Sequence, residues 1–381
     1  MHVALLIETS RSYGRGLLRG IIRYQREHRP WSIYFEPRGL KDSAPNWLKS
    51  WRGDGILARV NDRRTAEIIR RNGTPAVDLR FAVPDLGLPA VGIDNTTVVE
   101  RALDHFLDRG FTRFAFCGYP RGTSRWMDLR GELFQQIVGS QGLTCEVFTG
   151  AVRRGWSWEQ DQRQLARWLM GLATPVAVMA CNDDRGLQVL DACRRADLRV
   201  PEDVAVLGVD NDEFMCGLAT PPLSSIDINL EEIGYRAAKL LDGLMRGNSP
   251  PQEAILLPAG QVVTRQSTDG LAIADAELSA AIRYLREHAC QGIRMRDVTL
   301  ATGLEPRTLA RKMKAAFGRS PKTEILRIQI DAAKRLLQST QLSVKTIAAR
   351  TGFRNSRYFS NVFRKRVGLA PGQFRNQRLE N

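Results

Sequence analysis

The chain has 381 residues, 43% of them hydrophobic, and a formal net charge of +15. That length supports two or three domains with sizeable cores, and no apolar run approaches the roughly 20 residues that a membrane-spanning helix needs. The charge is uneven: from Asp275 to the end there are 22 Lys/Arg against 8 Asp/Glu, while the first 274 residues carry 34 against 33.

A net charge of +14 concentrated in the last 107 residues suits a polyanionic partner, because each phosphate that is neutralised releases counterions. No basic segment followed by a long apolar one opens the chain, so a cytoplasmic protein is expected. The six cysteines (117, 145, 181, 193, 216 and 290) are scattered with no CxxC pair, as reduced thiols would be. The four histidines lie far apart and form no HExxH or Cys/His cluster. Neither a metal nor a cofactor is expected.

In chain order, strand-like runs begin with "VALLIET", "SIYFEP", "GILARV", "PAVDL" and "AVGID", and continue with "RFAFCGY", "CEVFTG", "VAVMAC" and "VAVLGVD". Between them lie helix-like segments, among them Thr96 to Arg109, Ser124 to Ser140, Trp158 to Leu172 and Arg185 to Ala196. The alternation predicts parallel α/β structure with helices on both faces, and nine runs predict two lobes.

The first strand and helix raise the question of a dinucleotide site. Gly14, Gly16 and Gly20 come after "VALLIET", but the spacing is G-x-G-x-x-x-G, with the third glycine one place late. Arg11 and Tyr13 in the preceding turn are bulky for a close approach to pyrophosphate. A nicotinamide-dependent oxidoreductase is therefore the weaker reading.

From Gln266 the texture changes. "QSTDGLAIADAE" reads as a polar connector, with a linker over 269–283, and the remainder of the chain reads as short helices. This region repeats itself. "VTLATGLEPRTLARKMKAAFGRSP", from Val298, aligns with "IAARTGFRNSRYFSNVFRKRVGLAP", from Ile347. Gly303 matches Gly352, Leu309 matches Phe359, Met313 matches Phe363, Lys314 matches Arg364, Gly318 matches Gly368, and Pro321 matches Pro371.

Each copy predicts a short helix, a glycine turn and a longer basic helix. Leu309, Met313 and Phe317, and likewise Phe359 and Phe363, recur every four residues as a buried stripe. That leaves Arg307, Thr308, Arg311 and Lys314, and Arg354, Asn355, Arg357, Asn361 and Arg364, as the candidate DNA-binding residues. Arginine reads guanine and asparagine reads adenine in a major groove.

The stretch "RIQIDAAKRLLQSTQLSVKTIAARTGFRNSRYFSNVFRKRVGLAPGQFR" resembles the DNA-binding domain of AraC-type regulators, with the resemblance running over about 285–378. Over about 1–268, "ACNDDRGLQVL", "RVPEDVAVLGVD", "PPLSSI" and "VVTRQSTDG" resemble the effector-binding domain of LacI-type repressors and periplasmic sugar-binding proteins. A sensor at 1–268 followed by a reader at 284–381 resembles the subfamily of xylose operon regulators.

The resemblance implies a two-lobed periplasmic-binding-protein-like α/β sensor followed by an all-α domain with two helix-turn-helix motifs. It also implies a homodimeric, cytoplasmic transcription activator. DNA and a pentose effector, D-xylose in the first place, would be its partners, and RNA polymerase is a further candidate partner.

Ligands of such sheets bind at the carboxyl ends of the strands. The candidates there are Glu8, Arg11 and Tyr13 after the first strand, Trp126 and Arg130 after "FAFCGY", Asn182 and Asp183 after "VAVMAC", and Asp210 after "VAVLGV". Resemblance assigns sugar contacts to Arg130 and Asp210 and places Asn182 and Asp183 in the family's N-D turn. Capping of the following helix is the competing role for the Asn and Asp positions. The carboxylates Asp183, Asp184, Asp210 and Asp212 have no nucleophile or phosphate loop for company, so no enzyme activity is expected. A transport solute-binding protein, the other alternative, is disfavoured by the basic helical domain.

Overall fold

A computed structural model describes residues 1–39, 42–81, 87–150, 157–270, 275–317 and 319–380. The chain divides into two units, Met1–Ala272 and Ile273–Asn381.

The first unit opens with β1 (His2–Leu6), α1 (Ser12–Glu27), β2 (Ser32–Phe35), β3 (Gly55–Ala58), α2 (Arg63–Asn72) and β4 (Ala76–Asp78). These strands form a parallel sheet in the order β2-β1-β3-β4. β5 (Val91–Ile93) continues this lobe through a bridge between Asp78 and Ala90. The second lobe comprises α3 (Asn95–Leu107), β6 (Phe114–Cys117), α4 (Arg125–Ser140), β7 (Cys145–Val147), α5 (Trp158–Met170), β8 (Val176–Ala180), α6 (Asp183–Arg195), β9 (Val204–Val209), α7 (Glu213–Leu218) and β10 (Ser224–Ile226).

The chain then returns to the first lobe with α8 (Leu230–Met245) and β11 (Ile255–Leu257), which pairs with β5, and ends in the second with β12 (Val262–Val263). The second sheet has the order β12-β10-β9-β8-β6-β7 and is parallel except for β12. β8 and β9 are buried at every residue, as strands covered on both faces must be.

The nine strand-like runs are all strands, and the expected helices lie within two residues of their observed ends. The glycines of α1 have a packing role. A Cβ on Gly20 would lie 1.9 Å from the Glu231 carbonyl oxygen of α8, and one on Gly234 would lie 2.1 Å from the Leu17 carbonyl oxygen. The two helices cross backbone to backbone, which only glycine permits at both points.

The second unit consists of α9 (Ala276–His288), α10 (Met295–Thr302), α11 (Pro306–Phe317), α12 (Pro321–Ser339), α13 (Val344–Arg350), α14 (Ser356–Val367) and α15 (Pro371–Glu380). The expected linker over 269–283 is helical from Ala276. The Asp275 carboxylate accepts the Leu278 N–H, and Leu278, Ala281, Ile282 and Leu285 recur at helical spacing and are buried. Residues 271–274 of that linker and Gly318 of the first repeat lie outside the described residues.

Both repeat copies fold as expected. Gly303 and Gly352 take the left-handed conformation (φ 72° and 83°) between α10 and α11 and between α13 and α14. Leu309, Met313, Phe359 and Phe363 are buried, and Phe317 is half-buried. Between the copies runs α12, whose Ile330, Ala333 and Leu337 pack with Ile347, Phe353, Phe359 and Phe363.

Candidate functional site

The sensor cleft is built from loops at the strand ends of both lobes. Arg11, Tyr13, Arg59, Arg80, Asn95, Trp126, Arg130, Asn182, Asp183, Asp184 and Asp210 line it, together with Phe81, Ile93, Met127 and Met215. Its polarity comes mainly from four arginines facing aspartates, with aromatic rings between them.

Arg59 comes after β3 and Arg80 after β4. The Arg59 side chain is 7% exposed and pairs with Glu8, whose own side chain is 4% exposed. Arg59 also lies over the Tyr13 ring, 4.5 Å from its centroid. Glu8 therefore sits behind the cleft wall and not on it: its carboxylate serves Arg59, and Arg59 faces the cleft. Arg80 donates to Asn61 at 2.6 Å and lies 5.1 Å from the Trp126 centroid. Burial lowers its pKa to about 10, with the neighbouring Arg59 adding to the effect. The backbone turn carrying Arg80 is fixed by Asp78, which accepts the N–H groups of Val60, Arg80 and Phe81.

Across the cleft, Arg130 is buried and donates from Nε and Nη2 to Asn95 Oδ1 at 3.0 and 2.9 Å, and from Nη1 to the Cys181 carbonyl. It also lies 4.9 Å from the Trp126 centroid. Two guanidinium groups thus pack on this indole, while its buried Nε1–H has no hydrogen-bond partner among the described residues. Trp126, expected as a stacking face, packs against Arg80 and Arg130. Arg11, at the start of α1, pairs with Asp184 of α6.

Asn182 caps α6 by accepting the Arg185 N–H, so the capping role holds for it even though it lines the cleft. Asp183 is buried. It accepts from Ser225 Oγ at 2.5 Å and from the Asp212 N–H at 2.8 Å. Burial pushes its pKa well above the ordinary aspartate value, and the nearby Asp210 charge pushes it further.

Asp210 ends β9 with φ 110°, and Asn211 comes next with φ 52°. Among the described residues the Asp210 carboxylate has no side-chain hydrogen bond. Removal from solvent pushes its pKa to about 6, against the opposing pull of Arg130, Arg59 and Arg80. An acceptor held without a side-chain hydrogen bond among arginines is a constellation that hydroxyl groups can satisfy.

In the second unit, Arg307, Arg311 and Lys314 on α11, and Arg357, Asn361 and Arg364 on α14, are exposed, as is Arg354 just ahead of α14. Thr308 is half-buried. Asn355 caps α14, accepting the Arg357 and Tyr358 N–H groups at 2.8 and 3.0 Å. Each longer helix thus turns its apolar residues to the core and its arginines to solvent.

Three domain models match the chain: a XylR N-terminal domain over 2–82, a periplasmic binding protein-like domain over 103–268, and a helix-turn-helix domain over 299–377. The xylose operon regulatory protein of Escherichia coli (strain K12) is 30% identical over 386 residues, covering 99% of this chain and 97% of that protein. The chain belongs to the xylose operon regulatory protein family.

A solved structure described as the xylose-binding transcription activator xylR superposes with a TM-score of 0.64 at 29% identity, covering 98% of this chain and 97% of that one. A LacI family regulator from Bifidobacterium animalis subsp. lactis shares the fold of the sensor alone, with a TM-score of 0.56, 22% identity, and 70% and 97% coverage. As a member of the xylose operon regulatory protein family, this chain is a DNA-binding, AraC-type transcription regulator with a sugar-binding sensor, and not an enzyme. No described helix is long and apolar enough to cross a membrane.

Among the cleft residues absent from the ligand candidates read from sequence are Arg59, Arg80, Asn95 and Asp184, with Asp78 behind them. A signal for the two arginines is present, since "GILARV" and "PAVDLR" each place an arginine just beyond a strand end.

Proposed function

We propose that D-xylose is the effector and that its binding switches the protein to activate transcription. In this reading the protein is a cytoplasmic homodimer that engages two DNA half-sites and contacts RNA polymerase. The observation that carries the effector is Asp210: a carboxylate without a side-chain hydrogen bond among the described residues, at a strand end in the cleft, ringed by Arg59, Arg80 and Arg130. A polyol supplies O–H donors to that carboxylate and oxygen acceptors to the guanidinium groups around it.

The name of the Escherichia coli relative supports xylose over other polyols. Arg11, Tyr13, Trp126, Arg130, Asn182, Asp183 and Asp210 are the proposed contacts, with Arg59 and Arg80 added and Glu8 acting through Arg59. Arg307, Thr308, Arg311, Lys314, Arg354, Asn355, Arg357, Asn361 and Arg364 are the proposed DNA-contacting residues, placed in a reader at 284–381.

Calorimetry with D-xylose, L-arabinose, D-ribose and D-glucose tests the effector. Tightest binding of D-xylose supports the assignment, and preference for another sugar refutes it. Gel shift on the DNA upstream of the protein's own gene, with and without D-xylose, tests the switch, and an unchanged shift refutes it.

A further inference from the structure

The cleft is joined by an unbroken run of hydrogen bonds to the segment through which the chain leaves the first unit. Asp183 accepts from Ser225 Oγ at 2.5 Å, and Ser225 Oγ accepts the Asn211 N–H at 3.0 Å. Asn211 Oδ1 accepts from Arg265 Nη2 at 2.9 Å. Arg265 Nη1 donates to the Leu223 carbonyl at 2.9 Å, and its backbone N–H to Ser224 Oγ at 2.7 Å. Ser224 Oγ in turn accepts from Thr268 Oγ1 at 2.7 Å and donates to the Arg265 carbonyl at 2.8 Å. On the far side, His105 Nε2 lies 2.8 Å from Thr268 Oγ1, and Arg109 Nε donates to the Thr268 carbonyl at 2.7 Å. Arg109 also donates to His105 Nδ1 at 3.0 Å, which places the histidine proton on Nε2, toward Thr268.

Ser224, Ser225, Ser267 and Thr268 are all fully buried. The first unit ends four residues beyond Thr268, at Ala272. The near end of the run is under conformational load. Asp210 and Asn211 are consecutive residues other than glycine at positive φ, an arrangement that persists only where neighbours hold it. What holds Asn211 is the Ser225 hydroxyl on one side and the Arg265 guanidinium on the other.

We infer that Asn211 and Arg265 couple the cleft to the exit segment: a ligand that repositions Asp210 moves Asn211 with it, and Arg265 carries the change to 265–270. This rests on the sugar reading of the cleft. Asn211 and Arg265 act here as positioning residues, since neither lines the cleft. The strained pair Asp210–Asn211 has a relaxed alternative that ligand binding at Asp210 can favour or disfavour.

The test uses the full chain with Asn211→Gly, which tolerates the positive φ, relieves its strain and removes the grip on Arg265, and with Arg265→Lys as a second variant. D-xylose binding is measured by calorimetry, DNA binding by gel shift on the DNA upstream of the protein's own gene, and protection of amides 262–270 by hydrogen exchange. Expected for both variants are a D-xylose Kd within about threefold of wild type, unchanged DNA binding without sugar, and a sugar-dependent change in DNA binding cut by about tenfold or more. The xylose-induced change in protection over 262–270 should vanish with it.

A wild-type sugar response in both variants overturns the inference and leaves the effector assignment standing. Loss of xylose binding together with the response also overturns it, by making the network merely structural. A wild-type protein that gives no heat with D-xylose overturns the effector assignment, and the coupling with it.

Discussion

In the sensor cleft, Arg59 is shut between Glu8 and the Tyr13 ring, and Arg130 is spent on Asn95, a carbonyl and an indole face. On α11 and α14, Arg307, Arg311, Arg357 and Arg364 stand in solvent, with no ion pair among the described residues. The same side chain does two kinds of work because burial differs. In the cleft, water is displaced, so each charge must be matched locally and its position becomes information about one small ligand. These four arginines of the reader helices stay hydrated, which keeps them available for phosphates and base edges and makes their attraction sensitive to salt.

The largest expected effect tests the first half of this contrast. Arg59→Ala leaves Glu8 buried without its partner, and losing one member of a buried pair costs about 3–5 kcal/mol. Thermal unfolding of the sensor should show it, while Arg357→Ala should leave the melting temperature unchanged. Equal shifts for both variants would erase the distinction.

Next in size is the salt response of the reader. DNA affinity of the full chain should fall by roughly 10³ between 50 and 200 mM salt if about six phosphates are contacted. Sugar affinity, set by desolvated groups, should barely move over that range. A flat DNA response would show that the exposed arginines are not a phosphate footprint.

Asp210→Ala should weaken D-xylose binding by about 10- to 150-fold, the equivalent of about 1.5–3 kcal/mol for a charged acceptor. DNA binding without sugar should hold. The sugar response should move to higher concentration by the factor of lost affinity, read by titrating the gel shift. A variant with normal sugar affinity would return Asp210 to a purely structural role.

The smallest effect is on pH. Asp210 in the cleft has a pKa near 6, and sugar hydroxyls donate to its charged form. Affinity should be full above about pH 6 and fall by about tenfold per unit below it. Stability should run the other way. Asp78, Asp183 and Asp210 all have raised folded-state values, so the stability they contribute is full below the unfolded value of about 3.9 and is lost as pH rises through their folded values, about 6 for Asp78 and Asp210. Calorimetric binding and melting curves from pH 5 to pH 7.5 should therefore slope in opposite directions.

The long elements are legible in the sequence because their patterns are strong. β8 and β9 are unbroken apolar runs, and the two copies of the basic helix carry the same stripe. β10, β11 and β12 escape notice, and β12 is only two residues long. β10 also buries two serines, held by hydroxyl hydrogen bonds rather than apolar packing, so hydropathy gives no sign of it. The start of α9 is hidden because the run preceding it is polar and carries a glycine.

In the cleft, Arg11, Tyr13, Trp126, Arg130, Asn182, Asp183 and Asp210 are legible from strand ends and resemblance. The location of Glu8 is not legible that way. Whether a strand-end carboxylate faces a ligand or backs an arginine is decided by Arg59, 51 residues further along the chain.

The ion pair between Arg11 and Asp184 joins the start of α1 in the first lobe to α6 in the second, and the Arg80 to Trp126 contact crosses in the same sense. Neither requires a sugar atom, so both add to lobe closure before any effector is counted. The fraction of molecules already closed scales the apparent affinity of the effector. In the proposed activator, that fraction would set the basal transcription of the controlled genes, and the effector concentration at half-response would fall as it rises. The Arg11 side chain is 42% exposed and the Asp184 side chain 25%, so this contact is open to screening by salt. In the proposed activator, a substitution at either end of this ion pair would therefore trade a quieter uninduced state for a less sensitive switch.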